Sequence, residues 1–258
     1  MRYHIDTIPV WDAMKLDGEC LLCALHRKLE LGEADRYLGA SVMEPSTRIQ
    51  VNKQGFCRQH HAMLFGMSNR LGHALMLESH TAESRERMQK ILEDAKKAAH
   101  TLSGTPLGKL SRAGSQAAKA LEKAAADMAE LGSGCIMCAS IQENMDRYLH
   151  TFFHLYQNDS EFARRFRECK GVCLPHLADL LRIAPSELSG QALSGFVDAL
   201  SSQAQQNMDR IQEDISWFIK KFDYRYTNEP WKNSQDAVPR TVNKLRGWCV
   251  GPEPNPKE

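Results

Sequence analysis

The stretch DGECLLCALH, Asp17 to His26, sets Cys20 and Cys23 two residues apart at the head of an apolar run, and most of it recurs later in the chain. GECLLCAL at 18–25 returns as SGCIMCAS at 133–140, so Cys135 and Cys138 repeat the spacing of Cys20 and Cys23. GFCRQHHAML at 55–64 returns as GVCLPHLADL at 171–180, and DRYL stands at both 35–38 and 146–149. Three words in the same order read as a duplicated unit. Cys23 and Cys57 are 34 positions apart, and Cys138 and Cys173 are 35 apart. DRYL lies four positions closer to its CxxC in the second copy. That is about one helical turn, which keeps Tyr37 and Tyr148 on nearly the same helix face.

Each copy therefore offers Cys-x2-Cys followed by Cys-x2-His: Cys20, Cys23, Cys57 and His60, then Cys135, Cys138, Cys173 and His176. Three thiolates and an imidazole form the Cys3His set that zinc takes in closed tetrahedral sites, so two structural zincs, one per copy, are expected. Gly55 and Gly171 precede the second words and suit a close backbone turn. Binding at such sites is worth ~10–16 kcal/mol in zinc-finger peptides, so loss of a ligand should cost a large share of the stability. Packing of small hydrophobic cysteines would not explain a copied histidine. A redox dithiol gains nothing from CxxH, and no βαβ pattern surrounds it. An iron–sulfur cluster is the less favoured metal alternative. Cys169 and Cys249 have no counterpart in the other copy and are not read as ligands, and Leu177 opposite His61 favours His60 as the fourth ligand.

A chain of 258 residues buries an adequate core without disulfides. Its 33 Lys plus Arg against 32 Asp plus Glu argue against a protein built mainly to bind polyanions or an acidic membrane. MRYHIDTIPVW at the start has no apolar signal core, and no apolar run is of membrane-spanning length. The expectation is a cytoplasmic protein whose eight cysteines serve as free thiols, metal ligands or redox groups and not as structural cystines.

The remainder reads as helix. From Leu193 to Ile219, Leu193, Phe196, Val197, Leu200, Ala204, Met208, Ile211, Ile215 and Phe218 recur at steps of three and four. The first copy's equivalent runs from about Met63 to Ala99, with Leu71, Leu75, Met88, Ile91 and Leu92 expected inward. TRIQVN at 47–52 alternates like a short strand, whereas EFARRF in the second copy is better helix. The expected fold is all-α: two tandem, pseudo-duplicated, metal-clipped units, each a helical hairpin plus a long helix. The expected divisions are 1–103 for the first unit, 104–132 for a basic and Ala-rich connector, 133–222 for the second unit, 223–250 for an aromatic segment docking on the core, and 251–258 for a disordered tail.

In the connector, Lys96 to Lys123 holds six basic residues and one acidic one, Glu122. Lys109, Arg112 and Lys119 are candidate polyanion contacts, although a solvated loop is the simpler reading. GTPLGKLS at 104–111 fails as a P-loop, with three residues between its glycines and Leu110 after the lysine. WFIKKFDYRYTNEPW at 217–231 interleaves aromatic and basic residues able to stack bases or peptide side chains, but docking on the core is favoured.

RYHIDTIPVWDA, GECLLCAL, SVMEPSTRIQVNKQGFCRQHH, KKFDYRYTNEPW and DAVPRTVNKLRG together resemble a family of bacterial cytosolic proteins defined by a domain of unknown function. The resemblance covers nearly the whole chain and implies no activity, substrate or catalytic residue. The expected role is a non-enzymatic zinc-binding scaffold that contacts a protein or nucleic acid, with no membrane and no small-molecule substrate. The alternatives are a metal-handling or metal-dependent enzyme with one open site, beside Met43, Glu44 and Pro45 or beside His26, His150 or His154, and a thiol-redox sensor.

Overall fold

The computed structural model describes residues 4–100, 112–252 and 254, and among them the only regular elements are helices. In chain order they are α1 (His4–Met14), α2 (Leu21–Leu38), α3 (Pro45–Gln54), α4 (Arg58–Gly66), α5 (Arg70–His100), α6 (Arg112–Leu131), α7 (Ile136–Asn158), α8 (Ser160–Glu168), α9 (Leu174–Glu187), α10 (Gly190–Lys220) and α11 (Ala237–Arg246). Short 3-10 turns stand at Ala40–Met43 and Tyr224–Tyr226. No described helix is long and apolar enough to cross a membrane.

The chain folds as two compact units: Met1–Leu29 with Gln142–Glu258, and Glu30–Ile141. The second is inserted in the first along the chain, and α2 and α7 each contribute residues to both. The tandem division at 1–103 and 133–222 does not coincide with these units. The Ala-rich stretch, expected as a connector, is α6 and pairs with α5 inside the inserted unit, where Ala117 is buried. Its break, including Lys109 and GTPLGKLS, lies outside the described residues.

In the unit containing both termini, the core is aromatic. Phe152, Phe153, Phe162, Phe166 and Phe196 are all buried. Phe152 meets Phe166 and Phe162 edge-on at 4.8 and 5.4 Å, and Phe153 meets Phe196 at 5.0 Å, within the range where ring pairs add to simple burial. Asp159 joins local to tertiary structure here. Its carboxylate caps α8 through the backbone N–H groups of Glu161 and Phe162 and accepts the Trp11 indole N–H at 3.2 Å, while Trp11 packs edge-on against Phe162. As expected, α10 buries Phe196, Leu200 and Ile211, and EFARRF is helical in α8.

The inserted unit buries Tyr37, Val42, Val51, Phe56, Leu64 and Met76. TRIQVN is helix, not strand: Pro45 starts α3 at a position where its missing N–H costs nothing, and Thr47 and Val51 face inward one turn apart. The single helix expected from Met63 to Ala99 is broken between Gly66 and Arg70. The break rotates the register, so Gly72, His73 and Met76 are buried while Leu71 is 71% exposed and Met88 and Leu92 also face outward. Asn69 holds the corner, donating to the Leu38 carbonyl at 2.5 Å and accepting from Gly72 N–H at 2.8 Å.

Near that corner the His61 and His73 rings meet at 3.2 Å between Nδ1 and Nε2. Burial holds the His73 imidazole below its ordinary value, with Arg70 adding to the effect. A base whose folded value lies below its unfolded one stabilises the fold above the unfolded value, near 6.5, and loses that contribution as pH falls through the folded value. Denaturant titrations from pH 7.5 downward should show stability falling below about pH 6.5, with a shallower fall in His73→Gln. In the aromatic core, Phe152→Ala should lower the unfolding free energy by ~3–5 kcal/mol, read as a shift in the guanidinium midpoint at unchanged slope.

Candidate metal centres

All four Cys-led words stand at helix starts. Cys20 directly precedes α2 and Cys135 directly precedes α7, while Cys57 and Cys173 are the N-cap residues of α4 and α9. In each word the second ligand lies three residues on, one helical turn into the first free N–H groups. The N–H of Cys23 donates to Cys20 Sγ at 3.4 Å, and that of Cys138 donates to Cys135 Sγ at 3.4 Å, so a sulfur caps the helix as a hydroxyl or carboxylate would. Gly55 and Gly171 each lie two residues before the N-cap cysteine with φ of +62° and +74°, the left-handed region that favours glycine. The caps they lead into are nearly superimposable in dihedral space, φ −71° and ψ 167° at Cys57 against −73° and 164° at Cys173.

The eight residues gather into two groups, each with its ligand atoms within 4.8 Å of one another, and the grouping corrects the expected pairing. Cys20 and Cys23 join Cys173 and His176, whereas Cys57 and His60 join Cys135 and Cys138. The CxxC of one copy is thus completed by the CxxH of the other. Cys23 stands in the first turn of an 18-residue helix, about 27 Å long at 1.5 Å per residue, that carries the chain out of the first unit before Cys57 is reached. Each centre accordingly lies wholly within one compact unit.

The geometry suits one ion per centre. In the first, His176 Nδ1 lies 3.3, 3.5 and 3.2 Å from the sulfurs of Cys20, Cys23 and Cys173, and the Cys23 and Cys173 sulfurs are 3.7 Å apart. In the second, His60 Nδ1 lies 3.3, 3.1 and 3.4 Å from Cys57, Cys135 and Cys138, with 3.8 Å between the Cys57 and Cys138 sulfurs. A tetrahedral ion with M–S near 2.3 Å and M–N near 2.05 Å requires ~3.8 Å between sulfurs and ~3.5 Å from sulfur to nitrogen. Both donor sets therefore fit a tetrahedral metal ion, with Nδ1 as the histidine donor.

The surroundings of the two centres differ. Around the first, Lys244 is buried, and its ammonium donates to the carbonyls of Glu19 at 2.9 Å and Lys170 at 2.5 Å. Burial pushes this ammonium down, opposed by the nearby Glu19 carboxylate and Cys20. Glu19 would be raised by its own burial, but Arg210, bonded to both carboxylate oxygens, and Lys244 hold it below the usual carboxylate value. Trp248 N–H donates to Cys23 Sγ at 3.3 Å, and the Arg27 guanidinium sits 5.0 Å from the Trp248 ring centroid.

Around the second centre the nearby charge is negative. His60 Nε2 faces the buried Glu30 carboxylate at 3.4 Å, the outer carboxylate that commonly orients a metal-bound histidine. In the metal-free form, the Cys135 sulfur and then Glu30 push His60 up to about 10, so a metal ion must displace a proton there. For Cys135, burial acts to raise the thiol, yet the His60 contact and the Cys138 and Cys57 backbone N–H groups pull it down to about 6.

The other sequence candidates lie apart from these ligand sets. His150 pairs with Glu187 at 2.8 Å, His154 bonds Asn158, Met43 is exposed and Glu44 stands at the N-cap position of α3 without a side-chain cap bond. His26 comes closest, its ring 6.4 Å from that of His176. Cys169 donates to the Phe166 carbonyl and Cys249 is exposed. Lys119 is exposed on α6, Arg112 opens that helix, and Lys109 is outside the described residues. In the aromatic segment Phe222 and Tyr224 are 74% and 87% exposed, while Lys221 is buried against the carbonyls of Tyr226, Thr227 and Glu229. These Lys221 bonds tie the segment to itself. Sequence reading missed Glu30, Lys244 and Trp248. Buried charges carry no local sequence signature, and a lone tryptophan near the C-terminus has no periodicity to announce its place.

Residues 1–252 match a family described as "Family of unknown function (DUF6062)". No curated protein and no solved structure matches the chain.

The crossed pairing makes a sharp stoichiometric prediction. Combining Cys20→Ser with His176→Ala should leave one metal equivalent bound, because both changes fall in one centre, whereas Cys20→Ser with Cys57→Ser should leave none. Elemental analysis of the purified variants reads the difference, and the opposite pattern would restore the pairing within copies.

Proposed function

The chain belongs to that family of unknown function, and from its own residues we propose that it is a zinc-binding helical scaffold, a non-enzymatic module that contacts a protein or nucleic acid in the cytoplasm. The observation that carries this reading is the closed Cys3His donor set in each unit. Four protein ligands complete a tetrahedron, which leaves no position for a substrate or an activated water. Zinc is favoured over an iron–sulfur cluster because the donors converge on one point rather than around several irons. Six of the eight cysteines fall in the two donor sets, a use of cysteine that accords with a reducing compartment. The near balance of charge makes any electrostatic contact local, and Lys119 with its neighbours on α6 is the place to test it.

Elemental and visible spectroscopy of the purified protein should give two zinc equivalents and no absorption in the visible. A brown chromophore, or a folded metal-free protein with a CxxC disulfide, would sink the zinc reading. For the partner, nucleic-acid binding that falls steeply with salt and weakens in Lys109, Arg112 and Lys119 variants supports a nucleic acid. Binding indifferent to salt directs the search to a protein.

A further inference from the structure

The two centres share a ligand set and differ in what covers it. In the first, Cys20, Cys23 and Cys173 are all buried. A Cβ placed on Gly247 would come within 3.9 Å of the sulfurs of both Cys23 and Cys173, so the chain after α11 runs directly over them. The Trp248 backbone N–H draws negative charge from the Cys23 sulfur it bonds, and a thiolate so bonded is a poorer nucleophile, while the Lys244 ammonium, paired with Glu19, lies near Cys20. A cavity of about 430 Å³ does reach this side of the cluster, lined by Cys20, Cys23, Arg240 and Trp248 among others, so shape alone does not seal it.

In the second, Cys57 and Cys135 are half-buried and Cys138 is exposed to solvent. Cys138 Sγ lies 3.8 Å from Cys57 Sγ, and Cys135, its CxxC partner, is held to the same point by His60. The charge facing this cluster is the Glu30 carboxylate behind His60, which adds electron density to the ligand set instead of withdrawing it. An anionic metal–thiolate centre with one sulfur open to water and a second thiolate within reach has the parts of a peroxide-reactive site.

Resting on the zinc reading above, we propose that hydrogen peroxide oxidises the second centre through Cys138 and releases its metal, while the first centre keeps its own. The Cys138 sulfur attacks one peroxide oxygen; an S–O bond forms, the O–O bond breaks and hydroxide leaves, giving the sulfenic acid. The thiolate of Cys57 or Cys135 then attacks that sulfur; the S–S bond forms, the S–O bond breaks and a second hydroxide leaves. Two protons from solvent turn both hydroxides into water, two thiolates have lost two electrons, and peroxide has gained them. The metal is left with one sulfur and one imidazole, too few to hold it in a tetrahedral site. Reduction by a dithiol restores the ligands.

The test treats the full-length zinc-loaded protein with hydrogen peroxide, follows released zinc with a colorimetric chelator, and maps disulfides by mass spectrometry. Half of the bound zinc should leave, with Cys138 in the new disulfide, and a dithiol plus zinc should return the protein to two equivalents. Cys138→Ser, carrying one equivalent at the first centre, should release none at the same dose. Release of both equivalents together, release from Cys138→Ser, or a disulfide among Cys20, Cys23 and Cys173 would overturn the inference, the cavity beside the first centre then governing access. The metal count taken before peroxide separates this failure from that of the underlying reading. A folded protein that starts without zinc overturns both.

Discussion

The structure depends on thiolates held at helix N-termini. Each centre brings two such termini together, α2 with α9 and α4 with α7, so that unsatisfied N–H groups and the positive ends of two macrodipoles face one small volume. Without negative charge that convergence is unfavourable. Three sulfurs can supply the charge, and a cation held at their centre would keep them from repelling one another. The sulfurs of Cys20 and Cys135 thus cap their helices, and all four words set counter-charge and candidate metal donors at helix starts.

That economy explains what could be read in the sequence. Helix was legible because Cys-x2-Cys and Cys-x2-His place both ligands one turn apart, and because the spacing of Phe196, Leu200 and Ile211 reports a buried stripe. The ligand identities were legible because a histidine copied along with its cysteine is unnecessary for packing. Pairing was not. Both CxxC words are equivalent caps and both CxxH words are equivalent partners, so local chemistry fits either combination. The choice is made by where a rigid 18-residue helix delivers the chain, a property of length and direction. Leu71 was misjudged for a related reason, since a break at 67–69 resets the helical register without any strong breaker in the sequence beyond Gly66 and Asn69.

The two centres also show how much lies outside the donor set. Spacing alone makes them alike, yet one has a buried ammonium, a backbone N–H on sulfur and three buried cysteines, and the other has a carboxylate behind its histidine and an exposed sulfur. Different neighbours beside identical ligands, a Lys244–Glu19 pair at one and a lone Glu30 carboxylate on the histidine at the other, tune metal affinity and sulfur basicity separately. Two copies of one motif therefore need not perform one task.

The crossed pairing carries an entropic cost that the insertion largely removes. Joining Cys23 to Cys173 closes 150 residues, where Cys23 to Cys57 would close 34, and the longer loop costs about 1.3 kcal/mol more by chain statistics. The second centre closes only 75 residues between His60 and Cys135, all within the inserted unit. Once that unit is formed, its two ends are adjacent, for Ser140 Oγ donates to Glu33 at 2.9 Å. The path from Cys23 to Cys173 then shortens to the 10 positions before Glu33 and the 33 after Ser140. A loop of that length costs only about 0.2 kcal/mol more than the pairing within one copy. The second centre, by holding α4 against α7, thereby lowers the entropic cost of forming the first, and the more exposed of the two donor sets supports the more enclosed one.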